Sequence, residues 1–103
     1  MNIKYDVELI TKLNQMDLLK EGLDKKIIRE NFENSFGRNL IHECCIFGNF
    51  SMLQYLVSIW GEEMLRKKDK FGVTATHLAA RNGNSECRND LYSYLIKFQF
   101  YKD

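Results

Sequence analysis

Two histidines and three cysteines are the side chains of this 103-residue chain best suited to metal binding, redox chemistry or acid–base catalysis. The run His42-Glu43-Cys44-Cys45 combines imidazole, carboxylate and thiolate groups, which are all ligands of zinc. On a helix, however, positions 42, 44 and 45 project in different directions, and Cys87 is far away in sequence. We therefore expect buried, inert thiols, with no metal, no cofactor and no catalytic residue. The alternative is a thiol-based redox or metal protein.

Other signatures of catalysis or nucleotide binding are missing from the sequence. It contains no glycine-rich phosphate loop, no His-Glu-x-x-His motif and no Gly-x-Ser-x-Gly motif. A short basic run at residues 66–70 is typical of a solvated linker, with a nuclear-import signal or a contact for an acidic partner as alternatives. The sequence therefore favours a protein that is not an enzyme.

Composition and charge exclude several further classes. Lys and Arg number 15 and Asp and Glu 14, so the net charge is +1, which argues against binding to nucleic acid or to a membrane surface. No apolar run approaches the roughly 20 residues that a membrane span needs. The beginning of the chain lacks the apolar stretch of a signal peptide, and three cysteines then suggest a reducing compartment. We expect a cytoplasmic protein, with the nucleus as a second location.

An internal repeat organises the second two thirds of the chain. Residues 34–37 (Asn-Ser-Phe-Gly) and residues 69–72 (Asp-Lys-Phe-Gly) lie 35 residues apart, and three further identities share that offset. These identities are His42 with His77, Gly48 with Gly83, and Asn49 with Asn84. A histidine at the start of a short helix between two turns is more often a hydrogen-bonding group than a metal ligand or catalyst, so we expect a structural role for both.

Local chemistry predicts a turn and two helices in each unit. Asn34 or Asp69 can accept a hydrogen bond from the backbone two residues on, and the glycine three residues later can supply a positive φ. A short helix is expected over residues 41–47 and again over residues 75–82, each ended by a Gly-Asn pair. Second helices follow, with apolar residues at i, i+3, i+4 and i+7. These residues are Leu53, Leu56, Val57 and Trp60 in one unit and Leu91, Tyr94, Leu95 and Phe98 in the other.

The two units resemble ankyrin repeats, whose pattern is Asp-x-x-Gly-x-Thr-Pro-Leu-His-x-Ala-Ala-x-x-Gly-His. Residues 69–84 match it best and depart at Ala75, Thr76 and Asn84, whereas the first unit keeps fewer of the characteristic residues. The resemblance implies an all-α ankyrin-repeat solenoid of antiparallel helix pairs with an N-terminal helical cap. We expect a cap or degenerate repeat over residues 1–33, one repeat over 34–68 and a second over 69–103.

The predicted cap consists of two helices. One carries an apolar stripe with Asp6 as its N-cap. The second begins at Asp24, which would cap it, and contains Ile27, Ile28 and Phe32. A cap is expected because each repeat buries its apolar face only against its neighbours.

The resemblance also implies that the chain binds another protein through its turn tips and the exposed side of its first helices. Several of these positions are apolar or aromatic with cationic residues beside them, which is the composition of binding hot spots. An alternative for Phe36 and Phe71 is packing inside the turns or against the neighbouring unit. The predicted protein-binding residues are Ser35, Phe36, Arg38, Ile46, Phe47, Lys70, Phe71, Val73, Arg81 and Asn82.

A narrower resemblance concerns residues 37–43 (Gly-Arg-Asn-Leu-Ile-His-Glu), which look like part of the virus-encoded mimics of NF-kappa-B inhibitors. It implies a Rel/NF-kappa-B-type transcription factor as partner, inside a host cell. The alternative is a self-associating structural protein, or a subunit fragment of a longer ankyrin array, that forms a weak homo-oligomer through its aromatic C-terminal helix.

Overall fold

The computed structural model describes residues 5–81, apart from the side chains of residues 79 and 80. Its regular structure in this range is entirely helical, which confirms the predicted fold class. The helices are α1 (Val7–Lys12), α2 (Met16–Asp24), α3 (Leu40–Phe47), α4 (Phe50–Trp60), a 3-10 helix (Glu62–Arg66) and α5 (Ala75–Arg81).

The helices stack as pairs. α1, α3 and α5 lie in one row, each packed against the next, while α2 pairs with α1 and α4 with α3. The 3-10 helix packs on α4 and α5 and leads the chain from one pair to the next. One cluster of buried apolar side chains runs through all of them, so that each pair buries its apolar face only against its neighbours. Its largest fully buried members are Ile10, Leu19, Leu40, Ile41, Met52, Leu53, Leu56, Leu65 and Leu78.

The first helix begins where the sequence predicts. The Asp6 side chain accepts a hydrogen bond from the Leu9 amide at 3.2 Å, so Asp6 is the N-cap of α1. The apolar stripe then buries Val7 and Ile10.

The second helix of the predicted cap is placed wrongly by the sequence argument. Asp24 does not begin a helix; it is the last residue of α2. Lys26 adopts a φ of +59°, and the amides of Ile27 and Ile28 both turn back to the carbonyl oxygen of Gly22, at 2.9 and 3.0 Å. Such a reversal ends a helix, so the buried Ile28 closes the end of α2, while Ile27 stays 46% exposed.

The first repeat unit follows its predicted order. Asn39 caps α3, Gly48 ends it with a φ of +73°, and α4 starts two residues later. The predicted apolar stripe of α4 buries its first three members, while Trp60 is only partly buried.

Several predictions lie outside the described residues. These are the binding role of Asn82, the surroundings of Cys87, the C-terminal helix with Leu91, Tyr94, Leu95 and Phe98, and the self-association assigned to that helix. Within the described part of the chain, no helix is long and apolar enough to cross a bilayer.

Candidate functional site

The turn at residues 34–38, hereafter the first turn, is organised by one side chain. Asn34 Oδ1 accepts hydrogen bonds from the amides of Phe36 (2.9 Å) and Arg38 (3.0 Å). Gly37 takes a φ of +74°, which an L side chain rarely adopts, and its amide donates to the Asn34 carbonyl at 3.0 Å. The predicted roles of the asparagine and the glycine are therefore confirmed.

The turn at residues 69–73, hereafter the second turn, repeats this pattern 35 residues later. Asp69 Oδ1 accepts from the amides of Phe71 (2.8 Å) and Val73 (2.9 Å), and Gly72 takes a φ of +75°. Both tips are thus held in a defined shape from within.

Two contacts join the turns to each other. The Lys70 amide donates to the Phe36 carbonyl at 2.9 Å, and Arg38 Nε donates to Asp69 Oδ2 at 3.3 Å. Burial opposes the ionisation of Asp69, but the Val73 and Phe71 amides and Arg38 outweigh it and hold the pKa of this carboxyl below its usual value. Asp69 therefore carries its negative charge beneath the tips and neutralises Arg38.

The two aromatic tips lie side by side on the surface. The Phe36 side chain is 49% exposed and that of Phe71 68%, with ring centroids 6.4 Å apart at an interplanar angle of 37°. The Arg38 guanidinium lies 5.1 Å from the centre of the Phe36 ring. The rings do not pack inside the turns, but each lies against the ring of the neighbouring unit, so the alternative considered from the sequence holds in part while both rings stay exposed.

The other predicted binding residues surround this pair with different degrees of exposure. Ser35, Lys70 and Arg81 are exposed. Arg38, Ile46, Phe47 and Val73 are partly buried, and two of them, Ile46 and Val73, also pack against the core. Ile46 and Phe47 lie on α3 and Arg81 lies on α5, and the role of all these residues in binding stays a prediction.

His42 lies beneath this surface and links the two units. Its Nδ1 accepts from the Asn39 amide at 3.1 Å, and its Nε2 faces the Lys67 carbonyl oxygen at 3.0 Å. The neutral ring with its proton on Nε2 satisfies both partners. Burial lowers the pKa of His42. This is the structural role that the sequence predicts.

His77 occupies the matching place in the second unit. Its Nδ1 contacts the amide and hydroxyl of Thr74, at 3.3 and 2.9 Å, and its side chain is exposed. Among the described residues, the cap of α5 thus resembles that of α3 but makes no bond comparable to that of His42 with Lys67.

Glu43 is a buried carboxyl that the sequence analysis considered only as part of a run of metal-ligand residues. Its Oε1 accepts from the Asn34 side-chain amide at 2.7 Å, which joins α3 to the first turn. Burial and the nearby Glu8 raise the pKa of Glu43, although Arg38 and Asn34 act in the opposite direction. The equivalent residue of the second unit is the apolar Leu78, so no repeat pattern could have revealed this bond.

The cysteines of α3 are packed in the core. Cys44 and Cys45 are both buried without measurable exposure, as predicted, and neither forms a disulfide. Among the described residues, no group of three or more His, Cys, Asp or Glu side chains could hold a metal ion.

An open groove of about 690 Å³ lies between the end of α2 and the end of α4. Apolar side chains of α4 and charged side chains after α2 line it together, among them Tyr55, Ile59, Trp60, Lys26, Arg29 and Glu30. The groove could not be predicted from the sequence, because its two walls are more than 20 residues apart in the chain. One wall also belongs to the segment for which the sequence predicts a helix that does not form.

Residues 8–100 match the family model described as ankyrin repeats (3 copies). Since the match covers most of the chain, this protein belongs to the ankyrin-repeat family, as the resemblance predicted. Ankyrin repeats are generally non-catalytic modules that bind other proteins, so membership implies a protein–protein interaction module.

Two similar proteins illustrate the family. Synphilin-1 of Mus musculus is 37% identical over 70 residues, which are 68% of this chain and 7% of synphilin-1. A chain from the solved structure of the Bd0816 predatory endopeptidase of Bdellovibrio bacteriovorus in complex with immunity protein Bd3460 has a TM-score of 0.73 at 19% identity, covering 85% of this chain and 45% of that chain. The chain thus spans less than half the length of either protein, and the structural likeness shows the fold alone.

Proposed function

We propose that this protein binds another protein through the tips of its two turns and the adjoining side of α3 and α5. The observation that carries the proposal is the exposed pair of Phe36 and Phe71 rings, 6.4 Å apart on the surface. Adjacent exposed aromatic side chains with a cation beside them have the composition of interface hot spots.

The rigidity of the turns supports the same function. Each tip is fixed by hydrogen bonds that its backbone amides donate to Asn34 or Asp69, and the Lys70 amide joins one tip to the other by donating to the Phe36 carbonyl. A surface that is ordered before binding loses less conformational entropy on association, so more of its contact energy contributes to affinity.

Capture from cell extract, with the purified chain as bait, tests this proposal. The F36S/F71S variant is expected to lose the captured partners while its thermal unfolding changes little, because both rings are mainly exposed. Phe47→Ser is examined separately, since Phe47 is partly buried and its loss also affects packing.

A matched control removes equal apolar surface elsewhere. Leu13 in the α1–α2 connection is 60% exposed and Ile59 on α4 is 47% exposed, and L13S/I59S is expected to keep the partners. If F36S/F71S keeps them and L13S/I59S loses them, the binding surface lies elsewhere on the stack.

The narrower proposal is an inhibitor of Rel/NF-kappa-B-type transcription factors, of viral origin, acting in the cytoplasm or nucleus of a host cell. Its support is the resemblance carried by residues 37–43, which run from the first turn into α3. Titration of a purified Rel-type dimer with the chain tests it; lack of binding at micromolar concentration removes this partner and leaves the broader proposal standing.

Self-association through the C-terminal segment is the alternative function. Light scattering over a wide range of protein concentration separates it from binding to a different protein. A mass that rises with concentration, in both the parent chain and F36S/F71S, favours self-association.

A further inference from the structure

We infer that the partner presents an extended acidic segment with apolar side chains at alternate positions, which lies across the two turns. The inference rests on the proposed function and specifies its partner. It combines two features of the surface, the spacing of the aromatic tips and the one-sided charge around the second turn.

The charge around the second turn is positive. Within residues 64–81 the sole acid, Asp69, is buried and bound to Arg38. The basic side chains of this range are all exposed, namely Arg66, Lys67, Lys68, Lys70 and Arg81. Within residues 64–81, acidic groups of a partner therefore meet no exposed carboxylate, and attraction of opposite charge speeds association and fixes orientation.

Lys70 brings this charge up to the aromatic tips. A Cβ added to Gly37 would lie 2.9 Å from Lys70 Cγ. The Lys70 side chain of the second turn therefore passes directly over the first turn. Arg38 stacks on Phe36 from the other side. The cations and rings thus form one continuous surface rather than two.

The spacing of the rings fits an extended chain. Side chains at i and i+2 of a strand lie on the same face, about 6.6 Å apart. The ring centroids of Phe36 and Phe71 are 6.4 Å apart. Two apolar side chains at i and i+2 of one extended segment can therefore contact one ring each, while acidic residues on the same face, at i−2 or i+4, can approach Lys68 and Lys70.

Selection from a random peptide library displayed on phage tests the inference, with the purified chain as bait. The expected peptides are enriched in aspartate and glutamate and carry apolar residues two positions apart. A synthetic peptide of the enriched sequence is expected to bind about tenfold more weakly to K68E/K70E, and more weakly as salt is raised.

The charge-matched control is K12E/K26E, which reverses two exposed lysines in the N-terminal helix pair. It is expected to bind the synthetic peptide as the parent chain does. Equal weakening in both variants would show a general effect of net charge and would overturn the inference.

Other outcomes separate this inference from the proposed function. If the selected peptides are not enriched in acidic residues but still require Phe36 and Phe71 for binding, the inference of an acidic partner is overturned. The proposed location of the binding surface then still stands. The absence of enriched peptides also overturns the acidic partner, and the capture experiment then decides the proposed function by itself. Tighter binding of a mixed-sequence single-stranded oligonucleotide than of the peptide assigns the basic surface to nucleic acid.

Discussion

The first and second turns share one backbone design but differ in what surrounds them. Asn34 and Asp69 accept the same pair of amide hydrogen bonds, and Gly37 and Gly72 have φ values within 1° of each other. The first turn, however, is covered by Lys70, while no described atom lies within 4 Å of a Cβ placed on Gly72.

The same contrast separates the two histidines. His42 is buried and reaches the Lys67 carbonyl in the segment that leads into the second turn, whereas the described bonds of His77 stay with Thr74 at the start of its own helix. Repeated residues therefore fix the local shape of each unit, and the neighbouring unit decides how much each residue contributes to stability. Four measurements test this conclusion, in order of decreasing expected effect.

The largest difference in stability is expected between alanine variants of the two histidines. His42→Ala leaves the Asn39 amide and the Lys67 carbonyl without their partner and is expected to lower the free energy of unfolding by about 3–4 kcal/mol. His77→Ala removes only an exposed cap and should cost about 1 kcal/mol or less. Denaturant unfolding of both variants gives the comparison. Equal losses of unfolding free energy in the two variants would show that the contact of His42 with the Lys67 carbonyl contributes nothing to stability.

The second largest difference is expected between alanine variants of Gly37 and Gly72. Alanine at either position adopts an unfavourable left-handed conformation, which costs about 1–2 kcal/mol. At Gly37 the new Cβ would also lie 2.9 Å from the Lys70 backbone nitrogen, so Gly37→Ala should cost about 1 kcal/mol more than Gly72→Ala. The test compares the urea concentrations at the unfolding midpoints of the two variants, provided that the free energy of unfolding depends equally steeply on urea in both. A larger loss for Gly72→Ala would contradict the crowding of the first turn.

Exchanging the organising side chains is the third test. Asn34→Asp keeps the turn acceptor but places a carboxylate against buried Glu43, and should cost about 1–2 kcal/mol at neutral pH. In the double variant N34D/E43Q the loss should largely disappear, because the amide of glutamine can donate to the new carboxylate. The reverse change, Asp69→Asn, removes the charge partner of Arg38 and should cost about 1 kcal/mol. A double variant as unstable as N34D alone would mean that charge repulsion is not the cause.

The smallest effect is the pH dependence that His42 contributes. Because burial lowers its pKa in the folded state, this residue stabilises the fold above its unfolded value of about 6.5. That stability is lost as the pH falls below 6.5 toward the folded value, since the proton enters Nδ1, which must accept from the Asn39 amide. The free energy of unfolding should therefore fall less between about pH 7.5 and 5.5 in His42→Gln than in the parent chain.

Glu43 also titrates in the acid range, with its raised pKa favouring the fold at low pH, but it is present in both proteins and cancels in the comparison. A parallel pH dependence in His42→Gln and the parent chain would assign the effect to another group.

The sequence predicted what depends on local residues and on the repeat. The turn acceptors Asn34 and Asp69, the two glycines, the Asp6 cap and the helices after each turn all follow from short-range chemistry. The repeat also predicted the family, because a motif that recurs at one offset is specific even where single residues have diverged.

Long-range geometry was not predictable in the same way. The bond from Arg38 to Asp69 joins residues 31 positions apart, and the exposure of the two phenylalanines depends on how one turn lies on the next. The helix assigned to the residues after Asp24 shows a different limit. Its apolar spacing suits a helix, but the chain uses Ile28 to close the end of α2.

The contacts that cross from one unit to the next have an evolutionary consequence. Three of them end on main-chain oxygens: the Asn49 side chain on Thr11, the His42 ring on Lys67, and the Lys70 amide on Phe36. A carbonyl group is the same whichever side chain it belongs to, so mutations at positions 36 and 67 leave these contacts intact. Natural selection can therefore change the exposed side chains of the turn tips, and with them the molecules that they bind, while the helices beneath keep their arrangement.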